Sequence, residues 1–397
     1  MKKFLNSKNI FLVAGFLGLF LFSCGISFAV FKFVLKRAEP EPTVTPQVSE
    51  QLKKEGFLVD TTGPKTEVCP ITGEKFTVQE KNSWSQRRPL AVMIENHLDA
   101  RPQSGLSFAD VVYEAVAEGG ITRFMGVFYC NAQAKEAILG PIRSARTYFL
   151  DWASEYGKYP LYAHVGGANT PGPANALGQI EQYGWGGSQG NDLNQFSIGY
   201  PTFWRDYERM GRTVLTEHTM YSTTERLWGV GKSRGFTNLS TDKQNWLDDF
   251  TPWKFDTQTT PAGDKTKISF EFWKNSPDYS VVWELDKTLG MYKRLNGSES
   301  HEDLDINQQL AAKTVIVQFM KESSANDGYE NNVHLLYGTT GQGKALIFSN
   351  GNVVQATWNK KTRLDRTKYL DNLGKEIKFQ PGKIWIETLP VGNEVNY

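Results

Sequence analysis

The sequence predicts an α/β N-terminal domain and a mostly β (α+β) C-terminal domain, both behind an N-terminal transmembrane helix. Three observations lead to this prediction. An uncharged run of roughly 22 residues lies near the N-terminus. Residues 78–235 alternate between short apolar runs and amphipathic stretches, as α/β domains do. Residues 265–397 contain short β-prone runs separated by turn residues.

The N-terminal segment determines where the chain resides. The run Ile10–Phe31 is long enough to cross the ~30 Å hydrocarbon core of a bilayer as a helix. Basic residues flank the run on both sides, so the positive-inside rule orients it only weakly. Because the large polar body follows a single span, we predict that residues 1–37 are a cytoplasmic tip and an anchor in the cytoplasmic membrane, with the body extracytoplasmic.

The same segment has an alternative interpretation as a lipoprotein signal. Leu21-Phe22-Ser23-Cys24 is similar to a degenerate lipobox, in which the chain is cut before the cysteine and the cysteine is acylated. Phe22 is bulky for that motif, and the apolar run continues past Cys24, so an uncleaved anchor is favoured. Both interpretations place the chain after about Arg37 outside the membrane.

Composition restricts the classes of partner and cofactor. The start of residues 38–77 is rich in proline, so this segment is expected to be an extended linker. A formal net charge of +1 without a basic cluster gives no reason to expect a nucleic-acid partner. No cofactor is expected. The remaining chain is long enough for two domains.

Two cysteines, Cys69 and Cys130, lie beyond the apolar run. In an oxidising compartment such a pair is a disulfide candidate, and the alternative is two unpaired buried thiols. The sequence VCPITGEKF around Cys69 resembles half of a zinc knuckle, but no second pair of ligands follows at the required spacing. No metal site is therefore predicted.

The order of the predicted elements follows the apolar runs. Residues 236–264 are polar and irregular, and we interpret them as a connector. Before it, the strand candidates are Leu90–Ile94, Asp110–Ala117, Phe124–Tyr129 and Leu161–Val165, with a helix over Ser144–Tyr156. After it, they are Ile268–Trp273, Val281–Leu285, Thr314–Phe319, Val333–Tyr337, Ala345–Phe348, Val353–Trp358 and Lys383–Leu389.

An arginine-rich turn is the sharpest local signal for binding. Gly140-Pro141 leads into the predicted helix with Ser144 as its N-cap, and the free N–H groups at a helix start attract anions. Arg143 and Arg146 are three residues apart and can face the same way. The alternative is that they pair with Glu114, Glu118 or Asp151 and only brace the fold. The ligand-binding candidates are Arg101, Arg123, Arg143, Ser144 and Arg146.

Three side chains are candidates for acid and base chemistry. Glu114 and Glu118 are expected to share a face, because a spacing of four suits both a helix and a strand. Neutralisation of both by nearby arginines is the favoured alternative. His164 ends a predicted strand before Gly166-Gly167, where ligand crevices form in open α/β sheets. A lone histidine is more often a hydrogen-bonded loop residue.

Several motifs resemble one known family. The stretches ENHLDARPQSGL, ADVVYEAVAEGGITRF and GPIRSAR, followed by GQGKALIFSNGNVVQATW and PGKIWIETLP, are similar to the YerB-like family of bacterial lipoproteins. The resemblance spans nearly all of the exported body. It implies the N- and C-terminal domains of that family, here residues 78–235 and 265–397, outside the membrane. It implies no known activity, so it assigns no catalytic role.

Two functions are consistent with these observations. The leading hypothesis is a membrane-anchored, extracytoplasmic cell-envelope protein that binds an anionic ligand or an envelope polymer through its arginines. The alternative is a hydrolase or transferase acting on an envelope polymer, with Glu114 or Glu118 and His164 as acid and base. The two differ in whether those side chains converge on an open cleft or lie buried in ion pairs.

Overall fold

The structure, a computed structural model, describes residues 56–258 and 261–397 and, nearer the N-terminus, residues 16, 18–20, 22 and 23. Apart from those few positions, the predicted anchor Ile10–Phe31 lies outside the described residues, as does Cys24. Within the described part of the chain, no helix is both long enough and apolar enough to span a membrane.

Apolar runs covered on both faces form the central strands; all six residues of Leu90–Glu95, for example, are buried. The strands are β1 Glu67–Val68, β2 Lys75–Phe76, β3 Leu90–Glu95, β4 Val111–Glu118, β5 Ile121–Phe128, β6 Ile138–Leu139, β7 Leu161–His164, β8 Asp192–Asn194, β9 Trp204–Arg205, β10 Met220–Thr223, β11 Lys267–Glu271, β12 Ser280–Asp286, β13 Met291–Asn296, β14 Glu299–Ser300, β15 Glu302–Asp303, β16 Gln308–Gln309, β17 Ala311–Ala312, β18 Thr314–Met320, β19 Glu322–Ser324, β20 Leu335–Tyr337, β21 Gly341–Ser349, β22 Asn352–Lys360, β23 Lys368–Leu370, β24 Ile384–Pro390 and β25 Val395–Asn396. The predicted fold class is confirmed for this body, with mixed α/β structure in the N-terminal part and mostly β structure after it.

The helices are short and lie mainly in the N-terminal part. The first begins at a capping box, in which the Thr77 side chain accepts the Glu80 N–H and the Glu80 carboxylate accepts the Thr77 N–H. The α-helices are α1 Val78–Trp84, α2 Thr147–Ala153, α3 Ala176–Gln182, α4 Gln195–Ile198 and α5 Thr224–Ser233. Single 3-10 turns occur at Leu98–Ala100, Leu106–Phe108, Ser154–Tyr156, Thr216–His218, Trp246–Asp249 and Pro277–Tyr279.

The predicted helix over Ser144–Tyr156 begins later than expected. Helix α2 starts at Thr147, its N-cap position is Arg146, and no side chain caps it. The preceding backbone is extended, since the Arg143 N–H donates to Met93 O and the Ala145 N–H donates to Gly166 O. These bonds to neighbouring chain segments hold the backbone out of a helix. The prediction of Ser144 as N-cap is therefore wrong.

One ten-stranded sheet runs through both halves of the body, in the order β23-β22-β21-β18-β24-β4-β5-β3-β7-β8. The pairs β18·β24, β24·β4, β3·β7 and β7·β8 are parallel. Strand β24, near the C-terminus, lies between β18 and β4 and so joins strands of residues 78–235 to strands of residues 265–397. The boundaries at 235 and 265 stay a prediction, because the two parts share this sheet.

A second sheet covers one face of the first. Its order is β14-β13-β12-β11-β25, with β17 beside β13. Trp283 of β12 packs edge to face on Trp385 of β24, with ring centroids 5.3 Å apart. Helix α2 covers the opposite face, where Trp152 stacks on Tyr113 of β4 at 5.5 Å. Strand β4 is therefore buried between two layers.

A bulge separates the two candidate carboxylates of β4. The register of β4 against β5 shifts between Val116 and Glu118. An extra residue in one strand turns the side chains beyond it to the other face. Glu114 consequently meets Arg294 beneath the second sheet, whereas Glu118 meets Arg123 and Arg146 on the α2 side. The expectation that Glu114 and Glu118 share a face is wrong because the bulge interrupts the alternation.

A buried arginine connects the two sheets. Arg294 of β13 donates to Glu114 Oε2 at 2.8 Å and to Asn296 Oδ1 at 2.6 Å. Its Nε atom lies 3.8 Å from Oε1 of Glu387, which is paired in register with Glu114. All three ionisable side chains are buried. Burial, and then the charge of Glu114, raises the pKa of Glu387 well above its usual range, so one guanidinium faces one carboxylate.

The segment before α1 is part of the fold. Residues 67–76, which the sequence places in the linker, form the β1–β2 hairpin, and Ile71 is buried. Cys69 and Cys130 are joined by a disulfide with Cα atoms 6.0 Å apart. The disulfide lies beside Asp110, whose carboxylate accepts the N–H groups of Tyr129 and Cys130. This crosslink holds the hairpin against the end of β5.

We expect Arg294→Met to lower the free energy of unfolding by about 3–5 kcal/mol, because it leaves Glu114 buried without its cation. Chemical denaturation of the full chain measures the change. Lys267→Met is the matched control, since the Lys267–Glu284 pair is 3.2 Å apart but exposed. It should cost about 0.5 kcal/mol or less. Equal effects of the two variants would contradict a structural role for the buried pair.

Candidate functional site

Four strands of the main sheet end at one edge. Strands β3, β7 and β8 are parallel, and β4 runs the same way because β5 is antiparallel to both β3 and β4. Their last residues are Glu95, Glu118, His164 and Asn194. In open α/β sheets, ligands bind beyond the carboxyl ends of the strands. A site is therefore expected at this edge, and Arg123, Arg143 and Arg146 lie there.

Glu118 is held between two arginines. Its Oε1 accepts from Arg123 Nη2 at 3.2 Å, and its Oε2 accepts from Arg146 Nε at 3.0 Å. The side chains of Arg123 and Arg146 are almost fully buried, whereas that of Glu118 is 31% exposed. Burial raises the pKa of Glu118, but the charges of Arg123 and Arg146 outweigh it and bring the pKa to about 2. The trio carries a surplus positive charge.

Glu95 forms a second cluster at the same edge. Its Oε1 accepts from Arg143 Nε at 3.1 Å, and its Oε2 lies 2.9 Å from Nδ1 of His218. Glu95 and His218 are buried, but the Arg143 side chain is 29% exposed. The hydrogen bond to Glu95 raises the pKa of His218. Among Arg123, Arg143 and Arg146, Arg143 therefore has the most exposed side chain.

The predicted arginine cluster is divided rather than shared. Arg146 and Arg123 reach Glu118, as the ion-pair alternative expects, but Arg143 pairs with Glu95 and not with Glu114 or Glu118. Ser144 contributes its carbonyl oxygen, which accepts from Arg123 Nη1 at 3.0 Å. At the start of α2, Thr147 and the next three residues are buried. No anion site with Ser144 as N-cap is formed there.

Arg101 lies away from these clusters. Its Nε donates to Asn96 Oδ1 at 3.0 Å, and its Nη1 donates to Asp278 O at 2.9 Å. The guanidinium also lies 5.0 Å from the ring centroid of Tyr279. Burial lowers the pKa of Arg101 to about 10. These contacts make Arg101 a brace between the loop after β3 and the turn before β12.

The three candidate acid and base residues are not assembled in one cleft. Glu114 is buried against Arg294, on the opposite face of the sheet from Glu118. His164 is fully buried, with Nδ1 at 2.6 Å from Gly166 O and Nε2 at 2.6 Å from Asp192 Oδ1. Their hydrogen-bond partners form three separate sets. This arrangement gives the enzymatic alternative no geometric support.

Sequence reasoning did not assign roles to three residues that form key contacts in the structure. Glu95 directly follows the apolar run of β3, and its position at a strand end is the signal that could have selected it. His218 lies 123 positions from Glu95 and in a 3-10 turn, so no local pattern connects the two. Arg294 lies 180 positions from Glu114, so no local pattern connects these two residues either.

The ion pairs of Glu118 predict a specific acid response. Because its pKa in the fold lies below the usual 4.5, its stabilisation is present above about pH 4.5 and is lost as pH falls toward 2. Glu118→Gln should therefore lower the free energy of unfolding by about 2 kcal/mol at neutral pH, a figure already reduced for the partial exposure of Glu118. The difference between the variant and the unaltered protein should shrink as the pH falls toward 2. Denaturation at a series of pH values measures it. Glu284→Gln, at an exposed pair, is the control, and a difference independent of pH would refute the assignment.

Comparisons with known proteins show the family to which the chain belongs. The chain matches the N-terminal domain of a protein family of unknown function, DUF3048, over residues 71–237 and its C-terminal domain over residues 268–386. YerB of Bacillus subtilis, described provisionally as a lipoprotein, is 28% identical over 325 residues, which cover 81% of this chain and 86% of YerB. The crystal structure of YerB matches with a TM-score of 0.66 at 25% identity, covering 84% of this chain and 100% of that chain. The chain therefore belongs to the DUF3048 family of proteins of unknown function, as its resemblance to the YerB-like family predicts.

Proposed function

We propose that the protein is an extracytoplasmic, membrane-associated cell-envelope protein that binds an anionic group at the carboxyl edge of its main sheet. One observation carries the proposal. Among the residues that the structure describes, three arginines, Arg123, Arg143 and Arg146, form ion pairs with two carboxylates at this edge. A bound phosphate or carboxylate would supply the missing negative charge.

Arg143 is the side chain through which an anion would bind. It is partly exposed, and its guanidinium uses Nε for Glu95, so the Nη atoms remain available for a ligand's oxygens. Arg123 and Arg146 are buried behind Glu118 and supply positive potential rather than direct contacts. The hydrolase or transferase alternative is not favoured, because Glu114, Glu118 and His164 have separate partners.

We expect Arg143→Ala to abolish binding of the anion while the melting temperature of the ligand-free protein barely moves. Titration of the full chain with inorganic phosphate and, separately, with succinate measures binding and distinguishes the two anion chemistries. Arg87→Ala is the matched control, because Arg87 is also partly exposed and also paired with a glutamate, Glu225. A large loss of stability without any effect on binding would leave only the structural role.

Membrane association is proposed to come from the N-terminal segment. The relative YerB is described provisionally as a lipoprotein. In this chain, the uncharged run Ile10–Phe31 is consistent with either a membrane anchor or lipid attachment at Cys24. The continuation of the run beyond Cys24 favours the anchor. We expect the mature protein to retain residues 1–31, and intact-mass spectrometry of the membrane fraction tests this. A diacylated N-terminal Cys24 would overturn the anchor.

A further inference from the structure

We propose that His97, Asp99 and His218 form a binding site for a divalent transition-metal ion, and Zn²⁺ is the ion that we expect. One candidate ligand atom from each residue lies within 4.8 Å of the other two. Two imidazoles and one carboxylate are a ligand set that zinc accepts, with a fourth position left for water or a ligand. The site uses none of the arginines of the proposed anion site, although Glu95 contacts both Arg143 and His218.

The orientation of His218 is the second observation. Its Nδ1 atom lies 2.9 Å from the Glu95 carboxylate, and this contact directs the other ring nitrogen away from Glu95. Metal-binding histidines commonly donate one ring N–H to a carboxylate in this way, which fixes the tautomer and makes the second nitrogen a better ligand. No hydrogen bond from Nε2 of His218 to another described residue is present. Glu95 is thus a positioning residue for the proposed site.

The loop after β3 supplies the other two ligands. The ring of His97 stacks on that of His218, with centroids 4.8 Å apart and planes 12° from parallel. Nδ1 of His97 accepts the Asp99 N–H at 3.1 Å and lies 3.7 Å from Asp99 Oδ2. His97 is partly exposed and Asp99 is half-exposed, so solvent ions reach the cluster. The stacking of the two imidazoles contributes little stabilisation by itself.

Metal binding would require this loop to close and the His97 ring to turn out of its parallel stack on His218, because a metal ion lies close to the plane of each imidazole that binds it. Ligand atoms that lie about 2.0–2.1 Å from a tetrahedral zinc ion are about 3.3 Å from one another. The candidate ligand atoms of His97, Asp99 and His218 are separated by up to 4.8 Å. His97 and Asp99 lie at a single 3-10 turn on the surface, whereas His218 is buried, so the loop side is expected to move. Arg212 lies 3.6 Å from Asp99 Oδ1 and would share that carboxylate with the metal.

The other histidines differ from this pair. The chain has five histidines. His164 and His301 are buried, with both ring nitrogens in contact with protein atoms. His334 contacts Asp327 and stacks on Tyr329, but it belongs to no cluster of three potential ligands in the described part of the chain. His334 is therefore a suitable control residue.

The test is a titration of the untagged full chain with Zn²⁺ alone, followed by calorimetry, and with Co²⁺ alone, followed by visible absorption. We expect one ion per chain and a Co²⁺ spectrum typical of nitrogen and oxygen ligands. His97→Ala and Asp99→Asn should each weaken binding at least tenfold, and Glu95→Gln by roughly tenfold. His334→Ala should bind as the unaltered protein does. His97 is partly exposed, so its variant is expected to fold even if a His218 variant is not.

Three outcomes would overturn the proposal. They are no stoichiometric binding by the unaltered protein, unchanged binding by His97→Ala, or an equal loss in His334→Ala. The anion site is tested separately by the same preparations. His97→Ala should leave phosphate binding intact, whereas Arg143→Ala removes the phosphate contact without removing a zinc ligand. Failure of one proposal is thus distinguishable from failure of the other.

Discussion

The buried contact between Arg294 and Glu114 is the interaction on which the rest of the structure depends. Removing a guanidinium and a carboxylate from water is costly, and the two must therefore meet with good geometry once the layers pack. Their 2.8 Å contact fixes the position of the second sheet over β4 and β24. The tryptophans of β12 and β24 close over the pair and exclude water. The two family domains are thereby locked into one body.

The opposite face of the same strand has a different character. Beyond the bulge in β4, Glu118 lies at an edge where strands end and solvent enters. Among the described residues, the charged groups there are partly exposed and unevenly matched, with three arginines paired to two carboxylates. Such an imbalance of charge is what the proposed anion site requires. One extra residue in one strand thus separates a structural carboxylate from a candidate functional one.

Particular residues show how far sequence reasoning reaches. The strand cores Leu90–Glu95 and Thr314–Met320 were predictable because continuous apolar runs must be covered on both faces. Helix α2 began three residues late, because its first turn is replaced by backbone bonds from Arg143 and Ala145 to distant segments. The predicted arginines do gather at one edge, but their partners could not be assigned, since ion pairs depend on distances that spacing does not contain.

The sequence by itself determined the periodic features: the apolar runs, the turns between them, the uncharged N-terminal segment and the motifs of the family. These depend on local composition and on the regular directions of side chains along a strand. Only the tertiary structure decided that β24 inserts between β18 and β4, that Arg294 neutralises Glu114, and that His218 meets Glu95. Those contacts join residues 70 or more positions apart, and their energies arise from burial and geometry that exist only after the chain has folded.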